Sequence, residues 1–74
     1  MKLTLYTRRD CHLCEAMKGV VREVATDAQL EEIDIDAVPA LALKYGRDVP
    51  VLLVEGREIA RHRVTANALR RALQ

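Results

Sequence analysis

Val51-Leu52-Leu53-Val54 is an unbroken apolar run of strand length. A strand that faces water on one side alternates apolar and polar residues. A run with no polar side needs cover on both faces. Glu55-Gly56 follows as a two-residue turn, with Gly where a positive φ is needed. Arg57-Glu58-Ile59-Ala60-Arg61 then returns as an outer strand with polar alternation. The chain must therefore place a central strand inside a sheet and supply helices for both of its faces.

The remaining segments supply them. Leu3-Thr4-Leu5-Tyr6 has β-propensity and partial alternation. Cys14, Met17, Val21 and Val24 recur at spacings of three and four, which predicts a helix from about Leu13 to Ala25. Asp10 is placed to cap it. Leu30 to Ile35 reads as a strand with Ile33 and Ile35 on one face. Asp36 is expected to cap a short helix from Ala37 to Tyr45, with Pro39 in its first turn and Gly46 as its stop. Thr65 is a good N-cap for a last helix, Ala66 to Leu73, with Leu69 and Leu73 inward. The predicted order is βαβαββα, one domain over residues 1–74. The two early crossovers are expected to be right-handed, giving a parallel pair, and the closing hairpin to add antiparallel strands. The fold class is α/β: a four-stranded mixed sheet with helices on both faces.

Cys11-His12-Leu13-Cys14 sits where the first strand gives way to the first helix. There the first backbone N–H groups lack intrahelical partners, and the helix dipole adds partial positive charge. Both favour a thiolate, the form that attacks disulfides and binds metals. Arg8 and Arg9 add to this effect, and Asp10 opposes it. Two cysteines spaced this way at a helix head read as a redox pair. Cys-x-x-Cys is also half of many zinc sites, but those take four ligands. Beyond the pair the chain offers only His12 and His62. A metal or iron–sulfur cluster would therefore have to bridge two chains.

Composition excludes other classes. The net charge is +1, and Tyr6 and Tyr45 are the only aromatic residues, so neither a basic patch nor a stacking surface favours nucleic acid. No apolar run approaches the ~20 residues of a membrane span. Met1-Lys2 leads directly into a strand, which leaves no room for a signal peptide. The expectation is a cytoplasmic monomer, where a close cysteine pair is catalytic or metal-binding rather than structural.

These pieces together resemble the thioredoxin-like superfamily, and within it the small bacterial glutaredoxin-like proteins. The matching residues are Leu5-Tyr6-Thr7 leading into Cys11-His12-Leu13-Cys14, then Ile33-Asp34-Ile35-Asp36, Lys44-Tyr45-Gly46, and Val49-Pro50-Val51-Leu52. The resemblance implies a thioredoxin-like fold and a cis Val49–Pro50 bond. The Val49 backbone would then face the dithiol and pair with an extended substrate. It also implies departures. His12-Leu13 replaces the usual Pro-Tyr between the cysteines, and Asp48 replaces the Thr common before Val-Pro. Arg61-His62-Arg63 stands where the glutathione-holding Gly-Gly and acidic pair would be.

The expected function is thiol–disulfide exchange on a protein disulfide or a glutathione mixed disulfide. Cys11 at the helix tip is the nucleophile. Cys14, one turn in on the apolar face, is the resolving thiol. Val49, Pro50, Arg8, Arg9, His12 and Arg47 are the expected substrate contacts. No tightly bound cofactor is expected, and glutathione is a candidate reductant of weak activity. Two rival readings are the metal or cluster site shared by a dimer, and a redox-inert adaptor that uses the fold to bind a partner.

Overall fold

The computed structural model describes all 74 residues, Met1–Gln74. The elements are β1 (Lys2–Thr7), α1 (His12–Val24), β2 (Gln29–Asp34), a 3-10 turn (Ile35–Ala37), α2 (Pro39–Tyr45), β3 (Val51–Val54), β4 (Arg57–Arg61) and α3 (Ala66–Ala72). They form one sheet in the order β2-β1-β3-β4. This is the thioredoxin-like α/β architecture, with the βαβαββα order expected from the sequence.

Side-chain alternation sorts the core into two layers. Leu3, Leu5 and Leu52 meet Met17 and Val21 of α1 and Leu69 of α3 on one face. Val51 and Leu53 point to the other face, against Ile35 and Tyr45. Val51, Leu52 and Leu53 are all buried, so β3 is covered on both sides as its composition demands. Burying a Leu or Val side chain is worth roughly 1.5–3 kcal/mol. With aliphatic residues on both layers, this small domain holds together with few aromatics.

Only the first crossover gives a parallel pair. β1 and β2 are parallel, whereas β3 runs antiparallel to β1. Helix length explains the difference. The 13 residues of α1 span about 20 Å, the length of a six-residue strand, so α1 carries the chain back to where β1 began. The seven residues of α2 span only about 10 Å. The chain is not returned, and β3 starts at the end of the sheet where β2 stopped.

Other local expectations are corrected. The first helix is capped by Cys11 and not by Asp10. Ile35 leaves β2 for the 3-10 turn, and Asp34 rather than Asp36 caps that turn, its Oδ1 accepting from the Asp36 N–H at 2.9 Å. Helix α2 has Val38 at its N-cap with no side-chain cap, and Pro39 begins it. Gly46 ends α2 in a right-handed conformation, φ −53°. A side chain at Gly46 would put Cβ 2.6 Å from the Ala42 carbonyl oxygen, so close approach is why glycine is needed. Thr65 caps α3 as expected, Oγ1 accepting from Ala68 N–H at 3.0 Å. Both Glu55 and Gly56 have positive φ, the pattern of a type I′ hairpin turn. A bulge at Ile59 interrupts the hairpin: Leu52 pairs with Ala60 but Leu53 with Glu58. Ile59 and Ala60 therefore both pack on the α1–α3 layer, which simple alternation would not allow.

Candidate active site

Strand register gathers the chemistry at one end of the sheet. Tyr6 pairs with Val51, and Val51 with Arg61. The loop after β1 with Cys11, the segment before β3 with Val49-Pro50, and the loop after β4 with His62 thus share that end.

Cys11 and Cys14 form a disulfide with Cα atoms 5.2 Å apart. Cys11 is half-buried at the N-cap, in extended conformation, and its Sγ accepts the Cys14 N–H at 3.1 Å. Its carbonyl accepts the Glu15 N–H. The sulfur thus occupies the place of a capping oxygen at the N-terminus of α1. Cys14 is 1% exposed, on the helix face that also buries Met17 and Val21. Asp10 precedes the cap with φ 55°, a left-handed turn that Asp tolerates. Sequence preference favoured Asp10 as cap because sulfur is absent from the usual list of capping groups.

The expected substrate contacts fall into two groups. Arg8 is committed inward. Its Nε and Nη2 donate to Asp36 at 2.9 and 3.1 Å, and Nη1 donates to the Gly46 carbonyl at 2.7 Å. The Asp36 carboxylate holds the guanidinium above its ordinary range. Arg8 ties the dithiol loop to α2. Arg9, His12 and Arg47 are exposed and make no ion pair in the chain. His12 is the first residue of α1.

The Val49–Pro50 bond is cis. Pro50 is fully buried, and the Val49 side chain packs with Tyr6 and Leu41 against the second core layer. The N–H and C=O of Val49 have no hydrogen-bond partner within the chain. Such groups are available to an extended peptide laid alongside.

Neither His62 nor Asp48 was among the substrate contacts expected from the sequence. The structure brings them together. Asp48 Oδ1 lies 3.4 Å from His62 Nε2, and Oδ2 lies 3.3 Å from Arg61 Nη1. Arg61 also makes a two-pronged contact with Glu58, at 2.7 Å for each prong. That contact pulls the Glu58 carboxyl below its usual range and raises Arg61. His62, Arg63 and Val64 face Leu13, Met17 and Val20 across a groove of about 220 Å³ beside the dithiol. No third His, Cys, Asp or Glu joins the cysteines in a group able to hold a metal. The largest cavity, about 420 Å³, lies at the far end of α1 among Val24, Ala25, Arg70 and Leu73, away from this chemistry.

The glutaredoxin-like domain model (DUF836) matches residues 2–74. The chain belongs to the glutaredoxin-like domain family. Protein XcR50 from X. campestris is 39% identical over 96% of this chain and 93% of its own, with a TM-score of 0.84. NrdH-redoxin from Escherichia coli, described as a glutaredoxin-like protein with a thioredoxin-like activity profile, is 33% identical. That match covers 85% of this chain and 86% of its own, with a TM-score of 0.65. Thioredoxin 1 from Thermosipho africanus TCF52B has a TM-score of 0.62 and 26% identity, over 99% of this chain and 94% of its own. The glutaredoxin-like domain thus carries its Cys-x-x-Cys pair, as a disulfide, at the head of its first helix. No helix is long and apolar enough to cross a membrane.

Proposed function

We propose that this glutaredoxin-like domain is a thiol–disulfide oxidoreductase acting on protein disulfides. The observation that carries the reading is the Cys11 sulfur at the N-cap of a 13-residue helix, with the Cys14 N–H aimed at it. Once the pair is reduced, that N–H and the helix dipole favour the thiolate on Cys11. Burial disfavours the charged form of Cys14. The two thiols are thereby assigned different tasks.

The Cys11 thiolate attacks one sulfur of the substrate disulfide. A bond forms between Cys11 and that sulfur, the substrate S–S bond breaks, and the expelled sulfur leaves as a thiolate that takes a proton from water. Cys14 then loses its proton to solvent and attacks the Cys11 sulfur. The Cys11–Cys14 bond forms and the second substrate thiol is released. The substrate gains two electrons and two protons, and the domain is left oxidised. A dithiol or thiol reductant must return the two electrons. The unpartnered N–H and C=O of Val49 hold the substrate backbone during the attack, and Arg9 and Arg47 meet its acidic groups.

The reductant is better sought among dithiol reductases than in glutathione. Arg8 is spent on Asp36 and Gly46, and Arg61 and His62 on Asp48. Arg9 and Arg47 stay free of ion pairs, but Arg61-His62-Arg63 stands where the Gly-Gly and acidic pair that hold glutathione would be. The thioredoxin-like activity profile named for NrdH-redoxin supports the same choice. The test is insulin reduction driven by thioredoxin reductase, or by glutathione with its reductase, each with NADPH. Faster turnover with thioredoxin reductase is expected. Robust turnover with glutathione alone would reverse the assignment of reductant, and no turnover with either would remove the activity.

A further inference from the structure

We infer that His62 and Asp48 form a clasp that positions the Val49–Pro50 segment for substrate, an inference that rests on the thiol–disulfide exchange proposed above. His62 has φ 69°, a left-handed conformation unusual for a residue with a side chain. The Arg63 N–H reaches back over it to the Arg61 carbonyl at 2.8 Å. An i to i+2 hydrogen bond around a positive φ is the strained form of the γ-turn. Strain of this kind persists where surrounding contacts hold it, and it gathers at ligand clamps.

The contacts are specific. The His62 N–H donates to the Pro50 carbonyl at 2.8 Å, and the His62 imidazole Nε2 meets Asp48 Oδ1 at 3.4 Å. One residue thus grips both sides of Val49: the carbonyl after it and the side chain before it. Arg61 holds the other oxygen of Asp48. Val49 is left between two anchored neighbours with its own N–H and C=O free. His62 also lines the groove shared with Leu13 of the dithiol loop, so the clasp lies between the two parts of the site. His62 is a positioning residue. It fixes the backbone that receives substrate and takes no part in the sulfur chemistry.

The turn gives a test that separates positioning from stability. His62→Gly removes the imidazole and relieves the strained φ, because glycine adopts positive φ freely. Asp48→Asn removes the carboxylate and leaves the turn intact. Insulin reduction is followed as KM and kcat for wild type, both variants and the double variant, with thermal midpoints beside them. Each single variant is expected to raise KM about two- to fivefold, the scale of an exposed ion pair, with kcat changed less than twofold. His62→Gly should do so with no loss of thermal midpoint. The double variant should be no worse than the poorer single one, since the two residues act as a unit. Unchanged KM in both singles, multiplying effects in the double, or a KM rise only where the midpoint falls would overturn the clasp. A wild-type protein that leaves insulin disulfides intact under every reductant overturns the exchange reading itself, and the inference with it.

Discussion

Reducing Cys11–Cys14 lowers the stability of the fold by an amount set largely by the size of the loop it closes. The cysteines are three positions apart, so about four residues are enclosed. Cross-linking a loop this small removes roughly 6 cal/mol/K from the unfolded chain, or about 2 kcal/mol at 25 °C. Reduction gives part of that back. The freed Cys11 sulfur stays at the head of α1, where a negative charge gains about 0.3–1 kcal/mol from the helix terminus. The oxidised protein should thus be more stable by about 1–2 kcal/mol. Unfolding 74 residues releases roughly 155 cal/mol/K, so each kcal/mol moves the midpoint by about 6 °C. Calorimetry at neutral pH with and without a phosphine reductant should find the oxidised form melting about 6–12 °C higher. The sign bears on function. A fold that prefers its disulfide gives electrons to others, and one that prefers its dithiol takes them. Equal midpoints would refute the estimate of loop entropy, and a more stable reduced form would in addition make the domain an oxidant.

Three further outcomes follow from the packing and the charges. Leu69 is fully buried between α3 and the sheet, so Leu69→Ala should cost about 2–5 kcal/mol in urea unfolding; a loss below about 1 kcal/mol would mean that α3 contributes little to the core. Gly46→Ala puts a methyl against the Ala42 carbonyl and disturbs the carbonyl that Arg8 grips, with an expected loss of about 1–3 kcal/mol that an unchanged urea midpoint would contradict. Glu58 is held below its ordinary range by hydrogen bonds from Arg61, so the unfolded chain takes up its proton first as pH falls. The contribution of Glu58 is complete above its unfolded value and fades as pH drops through the folded one. The thermal midpoint of Glu58→Gln should thus lie below wild type at neutral pH and converge with it once the pH has fallen below the folded value of Glu58, whereas a gap independent of pH would assign the effect to packing.

What could be read from the sequence was whatever short-range patterning decides. The apolar run at Val51–Val54, the three-and-four spacing of Cys14, Met17 and Val21, the cap at Thr65 and the turn at Glu55-Gly56 each depend on neighbours within a few residues. They place the dithiol at a helix head and the Val-Pro segment before the central strand. The misread features depend on competition or on distance. Asp10 lost the cap to Cys11 because the loop turns left-handed at Asp10 and presents sulfur instead. Arg8, expected beside the thiols, is drawn to Asp36, 28 positions away. The direction of β3 depends on the length of α2 against that of the strands, which boundaries read from pattern alone overestimated. Asp48 and His62 meet only because the β4 bulge and the turn after it bring the end of the hairpin back over Pro50.

Trapping separates the tasks proposed for Cys11 and Cys14. Each single Cys→Ser variant is exposed, reduced, to a model disulfide, and the products are weighed by mass spectrometry after acid quench. Cys14→Ser should attack through Cys11 and stall as a stable mixed disulfide, because no thiol remains to resolve it. Cys11→Ser should remain at its own mass, since Cys14 is 1% exposed and lacks the helix-cap position. Equal trapping by both variants, or trapping by Cys11→Ser alone, would contradict the assignment of Cys11 as the attacking sulfur.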